Sequence, residues 1–137
     1  MAKYVKQSIQ ESLTYLAYNT HVVSSSWTPN TDVYETPESL VVRMETAGID
    51  KDRIEITLHD RWLQVRGYRR DPCRQRRCSF HQMEIDYGDF ERRILLPRKV
   101  DGRHARAQFH NGFLHIELPK SDTTESVTVT VTVEEWA

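Results

Sequence analysis

Cysteine, histidine and arginine are the residue types in this chain with chemistry to offer, and their spacing says what kind. Cys73 and Cys78 stand at C-x4-C with no second pair, which is not the spacing of a zinc site or of a disulfide-built secreted domain. They lie in the polar, looped stretch from Arg70 to Cys78. Neighbouring guanidiniums could depress a thiol pKa and make the pair redox-responsive, but the expectation is two ordinary thiols that carry no switch. Of the six histidines, His59 and His115 alternate away from apolar rows, as His104 does from Ala105 and Ala107, and each is expected on a solvated strand face. His110 precedes Asn111-Gly112 and reads as turn chemistry, while His21 and His81 have no motif around them. There is no H-E-x-x-H, G-x-S-x-G, Walker loop or dinucleotide fingerprint. The carboxylates are scattered, so the sequence reads as a non-enzyme with no catalytic, cofactor-binding or metal-ligating set.

Charge is more informative. Residues 66–77 carry a net +5, residues 91–106 a net +4 and the last 21 residues a net −4, although the whole chain is only −1. Tyr68, Phe80, Tyr87 and Phe90 fall within or beside the basic stretches. A nucleic-acid surface spanning Arg66 to Arg106 is therefore one reading, a solvated arginine-rich loop a second, and charge-guided pairing with another subunit a third. The near-neutral total and the absence of a single-strand-binding motif count against nucleic acid.

These residues need a scaffold. With 137 residues, 38% apolar and 28% charged, the chain is one domain with short extensions, and disorder is disfavoured. Its longest aliphatic runs, such as Leu40–Val42 and Ile94–Leu96, fall far short of the ~20 residues a membrane span needs. No apolar stretch follows Lys3 and Lys6, so no secretory signal is visible and the cytoplasm is the expected location. Val5, Ile9, Leu13 and Leu16 recur at helical spacing. They form an amphipathic arm that must pack on its own domain, a second subunit or a partner.

From Asp32 the period becomes two. Leu40, Val42 and Met44, then Ile54, Ile56 and Leu58, then Leu63 and Val65 each alternate with polar or outward positions. Phe90, Ile94 and Leu96 follow, then Ala105, Ala107 and Phe109, and Leu114, Ile116 and Leu118 beyond Asn111-Gly112. Asn-Gly between alternating runs is the strongest hairpin signal here. Many short strands with no helix of ordinary length between Asp32 and Lys120 point to an antiparallel sandwich or barrel. Val127, Val129, Val131 and Val133 then alternate with threonine. That row must be buried, either on its own sheet or in a neighbouring subunit's groove. Arg92 is in phase with Phe90, Ile94 and Leu96; a guanidinium buried on an apolar face needs a carboxylate, and an interface ion pair is favoured over a strand-edge arginine that reaches solvent.

Four stretches together resemble the small heat-shock proteins, whose shared module is the alpha-crystallin domain. They are Glu45-Thr46-Ala47-Gly48-Ile49 with Ile54-Glu55-Ile56; Leu63-Gln64-Val65-Arg66-Gly67; Tyr87-Gly88-Asp89-Phe90-Glu91-Arg92 running to Leu96-Pro97; and Ala107-Gln108-Phe109-His110-Asn111-Gly112-Phe113-Leu114, closing on Leu118-Pro119-Lys120. Ala47 stands where the family usually has proline, and the valine row is longer than the family's tail anchor.

The resemblance covers about residues 32–120 and implies an all-β, immunoglobulin-like antiparallel sandwich. It divides the chain into an N-terminal arm (1–30), the sandwich (31–120) and a tail (121–137). It implies an ATP-independent holdase that binds partly unfolded client proteins and keeps them from aggregating. A non-chaperone interaction module on the same fold is the alternative. Homodimerisation is expected by exchange of a loop strand between Tyr68 and Asp86, with Arg92, Tyr68, Arg76 and Phe80 at the interface. Higher oligomers are expected through Val127, Val129, Val131 and Val133, in cis or in trans. Val5, Ile9, Leu13, Leu16 and Trp27 are the expected client contacts.

Overall fold

The computed structural model describes residues 27–73, 76–123 and 128–135. Among these residues nine strands follow one another: β1 (Thr31–Glu35), β2 (Ser39–Glu45), β3 (Glu55–His59), β4 (Trp62–Arg69), β5 (Gly88–Leu95), β6 (Arg106–His110), β7 (Phe113–Pro119), β8 (Val129–Thr130) and β9 (Val133–Glu135). Among the described residues the only helical pieces are two 3-10 turns, Lys51–Arg53 and Gly102–His104. One sheet has the order β1-β2-β7-β6-β9 and the other β5-β4-β3-β8. Every pairing is antiparallel except β6 with β9. The result is the β-sandwich that the alternating runs require.

Period-two alternation sends one row from each strand into the core. Leu40, Val42 and Met44 of β2 meet Leu114, Ile116 and Leu118 of β7, and all six are fully buried. Ile56, Leu58, Leu63, Val65 and Phe90 supply the facing sheet. Each such aliphatic side chain contributes about 1.5–3 kcal/mol by leaving water, so these rows fix the register of every ladder. A slip by one residue would turn a whole row outward. The Asn111-Gly112 turn joins β6 to β7, both residues having positive φ (50° and 80°) as a type I′ hairpin needs.

The sandwich draws in more of the chain than residues 31–120. Trp27 is buried, its ring centroid 5.0 Å from that of Phe90, and its indole Nε1 donates to Gly88 O at 3.1 Å. At the other end β8 and β9 extend both sheets. The arm residues Val5, Ile9, Leu13 and Leu16, and Val127 of the tail, lie outside the described residues.

Candidate interaction site

The loop from 70 to 87 leaves β4 and re-enters β5 at one place, because Arg69 and Gly88 are register partners. Arg69 holds that junction. Its Nε donates to Ala47 O at 2.9 Å, its Nη1 donates to Asp86 O at 3.0 Å, and its guanidinium lies 4.1 Å over the Trp27 ring. A planar fork of donors suits this triple duty, as a lysine's single ammonium would not. Beyond the clamp the loop carries apolar side chains with little cover: Phe80, Met83 and Ile85 are 46%, 57% and 59% exposed. Met83 and Ile85 also line a hollow of about 610 Å³ with Tyr68, Asp71, Tyr87 and Asp89. Arg76 is exposed in the same loop, while Tyr68 is half-buried on β4 beneath the Arg53 guanidinium at 4.0 Å.

Arg92 pairs in register with Val65, between the Phe90–Gly67 and Ile94–Leu63 partners. Register partners project to the same side of a sheet, so Arg92 shares the apolar face, as the phase of the sequence requires. It is half-buried and forms no ion pair with any described residue. The carboxylates of this sheet are engaged elsewhere: on the opposite face Glu91 accepts from Arg93 Nε at 2.7 Å and from Gln64, and Glu55 lies 3.8 Å from Arg66.

The tail is seated on its own chain. Leu58 pairs with Val129 and Thr57 with Thr130, and the Val131 amide donates to Ile56 O at 2.9 Å. Val131 is buried, and Val133 pairs with Ala107 on the other sheet. One valine row therefore crosses from the edge of β3 to the edge of β6. Gly102 makes room for it: a Cβ there would lie 2.8 Å from Leu58 Cδ2 and 3.3 Å from Val129 Cγ2.

Several expectations are corrected. Trp27, expected among the client contacts, packs in the core of the sandwich. His59 is buried, because the tail covers its strand, and its Nδ1 lies 3.0 Å from Thr128 Oγ1. Cys73 and Cys78 are bonded to each other, with Cα atoms 5.8 Å apart; the turn from Cys73 O to the Arg76 amide (3.2 Å) brings them together. His104 is exposed as expected, and its Nδ1, 2.6 Å from Asp101 Oδ2, holds that carboxyl below its usual range. His115 is half-buried; burial first, then the charges of Arg43 and His110, push its pKa down. Among the described residues no three His, Cys, Asp or Glu side chains gather as a metal centre would require. No described helix is long and apolar enough to cross a membrane.

The interface residues expected from sequence do not form one cluster in a single chain. Tyr68 and Arg92 sit on neighbouring strands with opposite facing, while Arg76 and Phe80 lie out on the loop. Sequence reading missed Arg69 and Gly102. Their signals were an arginine at a strand end beside a long loop, and a glycine after Asp101 in a turn of no obvious purpose.

Comparison with known proteins accounts for this geometry. The sequence profile of the Hsp20/alpha crystallin family matches residues 32–134. Small heat shock protein C2 of Rickettsia felis is 32% identical over 94 residues, 69% of this chain and 61% of that protein. Spore protein SP21 of Stigmatella aurantiaca is 35% identical over 95 residues, covering 69% of this chain and 56% of the relative. The chain thus spans about six tenths of the length of these two relatives. A small heat-shock protein from Xylella fastidiosa superposes with a TM-score of 0.64 at 31% identity, over 74% of this chain and 93% of that one. Heat shock protein 16.0 from Schizosaccharomyces pombe gives 0.63 at 26%, over 74% and 96%. The profile covers the sandwich together with its tail strands, and on that match the chain belongs to the Hsp20/alpha crystallin family.

Proposed function

We propose that this protein is an ATP-independent holdase, binding partly unfolded proteins and preventing their aggregation under stress. The observation that carries the reading is the exposed apolar side chains of Phe80, Met83 and Ile85 on a loop anchored at its base by Arg69, in a member of this family. Apolar surface of that kind is stabilised by any partner that covers it. A transiently bound client is kept out of the aggregation-competent pool by mass action alone, so no nucleotide chemistry is required. The heat-shock names of its relatives support the stress setting.

In the resting state the partner is a second copy of the chain. The 70–87 loop, which forms no strand among its described residues, becomes one by pairing along the free edge of the other copy's β1, the strand that ends the five-stranded sheet. Arg92 then meets a carboxylate of the other subunit, while Tyr68, on the opposite face of the sheet, and Arg76 and Phe80, out on the loop, meet that subunit at separate points of the same interface. Higher assembly uses the valine row Val127 to Val133, released from its own sandwich and docked on another. Val5, Ile9, Leu13 and Leu16 extend the client surface. The test is light scattering of a heat-stressed or reduced client with and without the full chain, no nucleotide added. Suppressed scattering near stoichiometric ratio supports the reading, and unchanged scattering defeats it.

A further inference from the structure

We propose that the Cys73–Cys78 bond is a redox-set control on the length of the 70–87 loop, so that oxidation shortens the loop and weakens subunit pairing while reduction restores it. The inference rests on the loop-exchange reading above, but it comes from a different observation. In the bonded state the two Cα atoms are 5.8 Å apart. Five extended residue steps at about 3.3 Å each would span ~16 Å. The bond therefore takes up roughly 10 Å of chain, about three residues of strand, from the limb between Arg69 and Phe80.

The loop cannot recover that length elsewhere. Both ends are fixed, one as the Arg69–Gly88 partners and the other by Arg69 Nη1 on Asp86 O. Reach is therefore set by the limb containing the cysteines. Two local bonds hold it compact: the Cys73 amide donates to Asp71 Oδ1 at 2.9 Å, and the Arg76 amide donates to Cys73 O at 3.2 Å. A shortened limb retracts Phe80, Met83 and Ile85 toward their own sandwich and away from a partner's edge. Those side chains stay uncovered, so the oxidised form presents more apolar surface per subunit.

The chemistry needs a dithiol reductant. Its thiolate attacks the exposed Cys78 Sγ, the Sγ–Sγ bond breaks, and Cys73 leaves as a thiolate that takes up a proton. The reductant's second thiol then attacks the mixed disulfide and releases Cys78. Two electrons and two protons pass to the cysteines, and the dithiol becomes a cyclic disulfide.

The test uses the full chain equilibrated in mixtures of reduced and oxidised dithiothreitol, with thiols counted by alkylation and mass spectrometry and pairing read by analytical ultracentrifugation. The oxidised form is expected to have a dimer dissociation constant at least about tenfold above that of the reduced form. The double variant Cys73→Ser/Cys78→Ser should match the reduced form in every mixture. Equal constants for the two forms, a tighter oxidised dimer, or two free thiols in every mixture would each overturn the inference. Ile85→Asp, measured under reducing conditions, separates the two levels. If it weakens the dimer while redox state does not, only the length control fails; if it leaves the dimer intact, loop exchange itself fails.

Discussion

The ring of Phe90 fills the space where Gly67 has no side chain: a Cβ on Gly67 would stand 2.5 Å from Phe90 Cε1. The two are register partners on β5 and β4. Trp27 packs against the same ring at a tilt of 59°, and the Arg69 guanidinium lies over the Trp27 ring in turn. The floor of the loop junction is thus built on one missing methyl group. Gly67→Ala should destabilise the fold by about 1–3 kcal/mol through overpacking, read as a lower urea midpoint with an unchanged slope. A stability equal to that of the parent would mean that Phe90 can move aside at no cost.

Gly102→Val tests the tail seat. The added side chain would collide with Leu58 and crowd Val129, unseating β8 while leaving the rows of β2 and β7 in place. The Val131 amide, bonded to Ile56 O, should lose its hydrogen-exchange protection. The lost burial of Val131 should lower stability by about 1.5–3 kcal/mol. Full retention of that protection would show that the seat tolerates a larger residue.

Arg92→Glu reverses a charge that has no ion-pair partner among the described residues. If the partner carboxylate belongs to a second copy, sedimentation should show a weakened dimer. An unaltered dimer would refute the pairing.

His115 links stability to pH. Its folded-state pKa is held down by burial, with Arg43 and His110 adding to the effect, so the unfolded chain binds the proton more readily. Stability is then complete above the ordinary imidazole value of ~6.5 and falls as pH drops below it toward the folded-state value. In thermal melts from about pH 7.5 down to about pH 5, His115→Asn should flatten this part of the decline. A profile parallel to the parent's would remove His115 from the account.

Truncation after Asp122 removes the whole valine row. It should lower the assembly order while leaving a folded dimer, as measured by native mass. An unchanged oligomer would exclude the tail as a link between dimers.

The alternation of apolar residues, with the Asn111-Gly112 pair, by itself determined β2 to β7 but not β1, the inward rows of β2, β3, β4 and β7, the hairpin between β6 and β7 and the facing of Arg92. Each of these depends on neighbours a few residues apart, where covalent geometry alone sets which side chains share a face. Only the tertiary structure decided where Trp27, His59, the valine tail and the two cysteines lie. Trp27 meets Phe90 63 positions away, and His59 is covered by Thr128, 69 positions away. The valine row could equally have been buried elsewhere; what selects its seat is the gap at Gly102 together with two sheet edges left open by distant strands. Local pattern states that a face must be hidden, but the identity of what hides it is a property of the assembled surfaces, because burial is non-directional and any apolar cover of the right shape satisfies it.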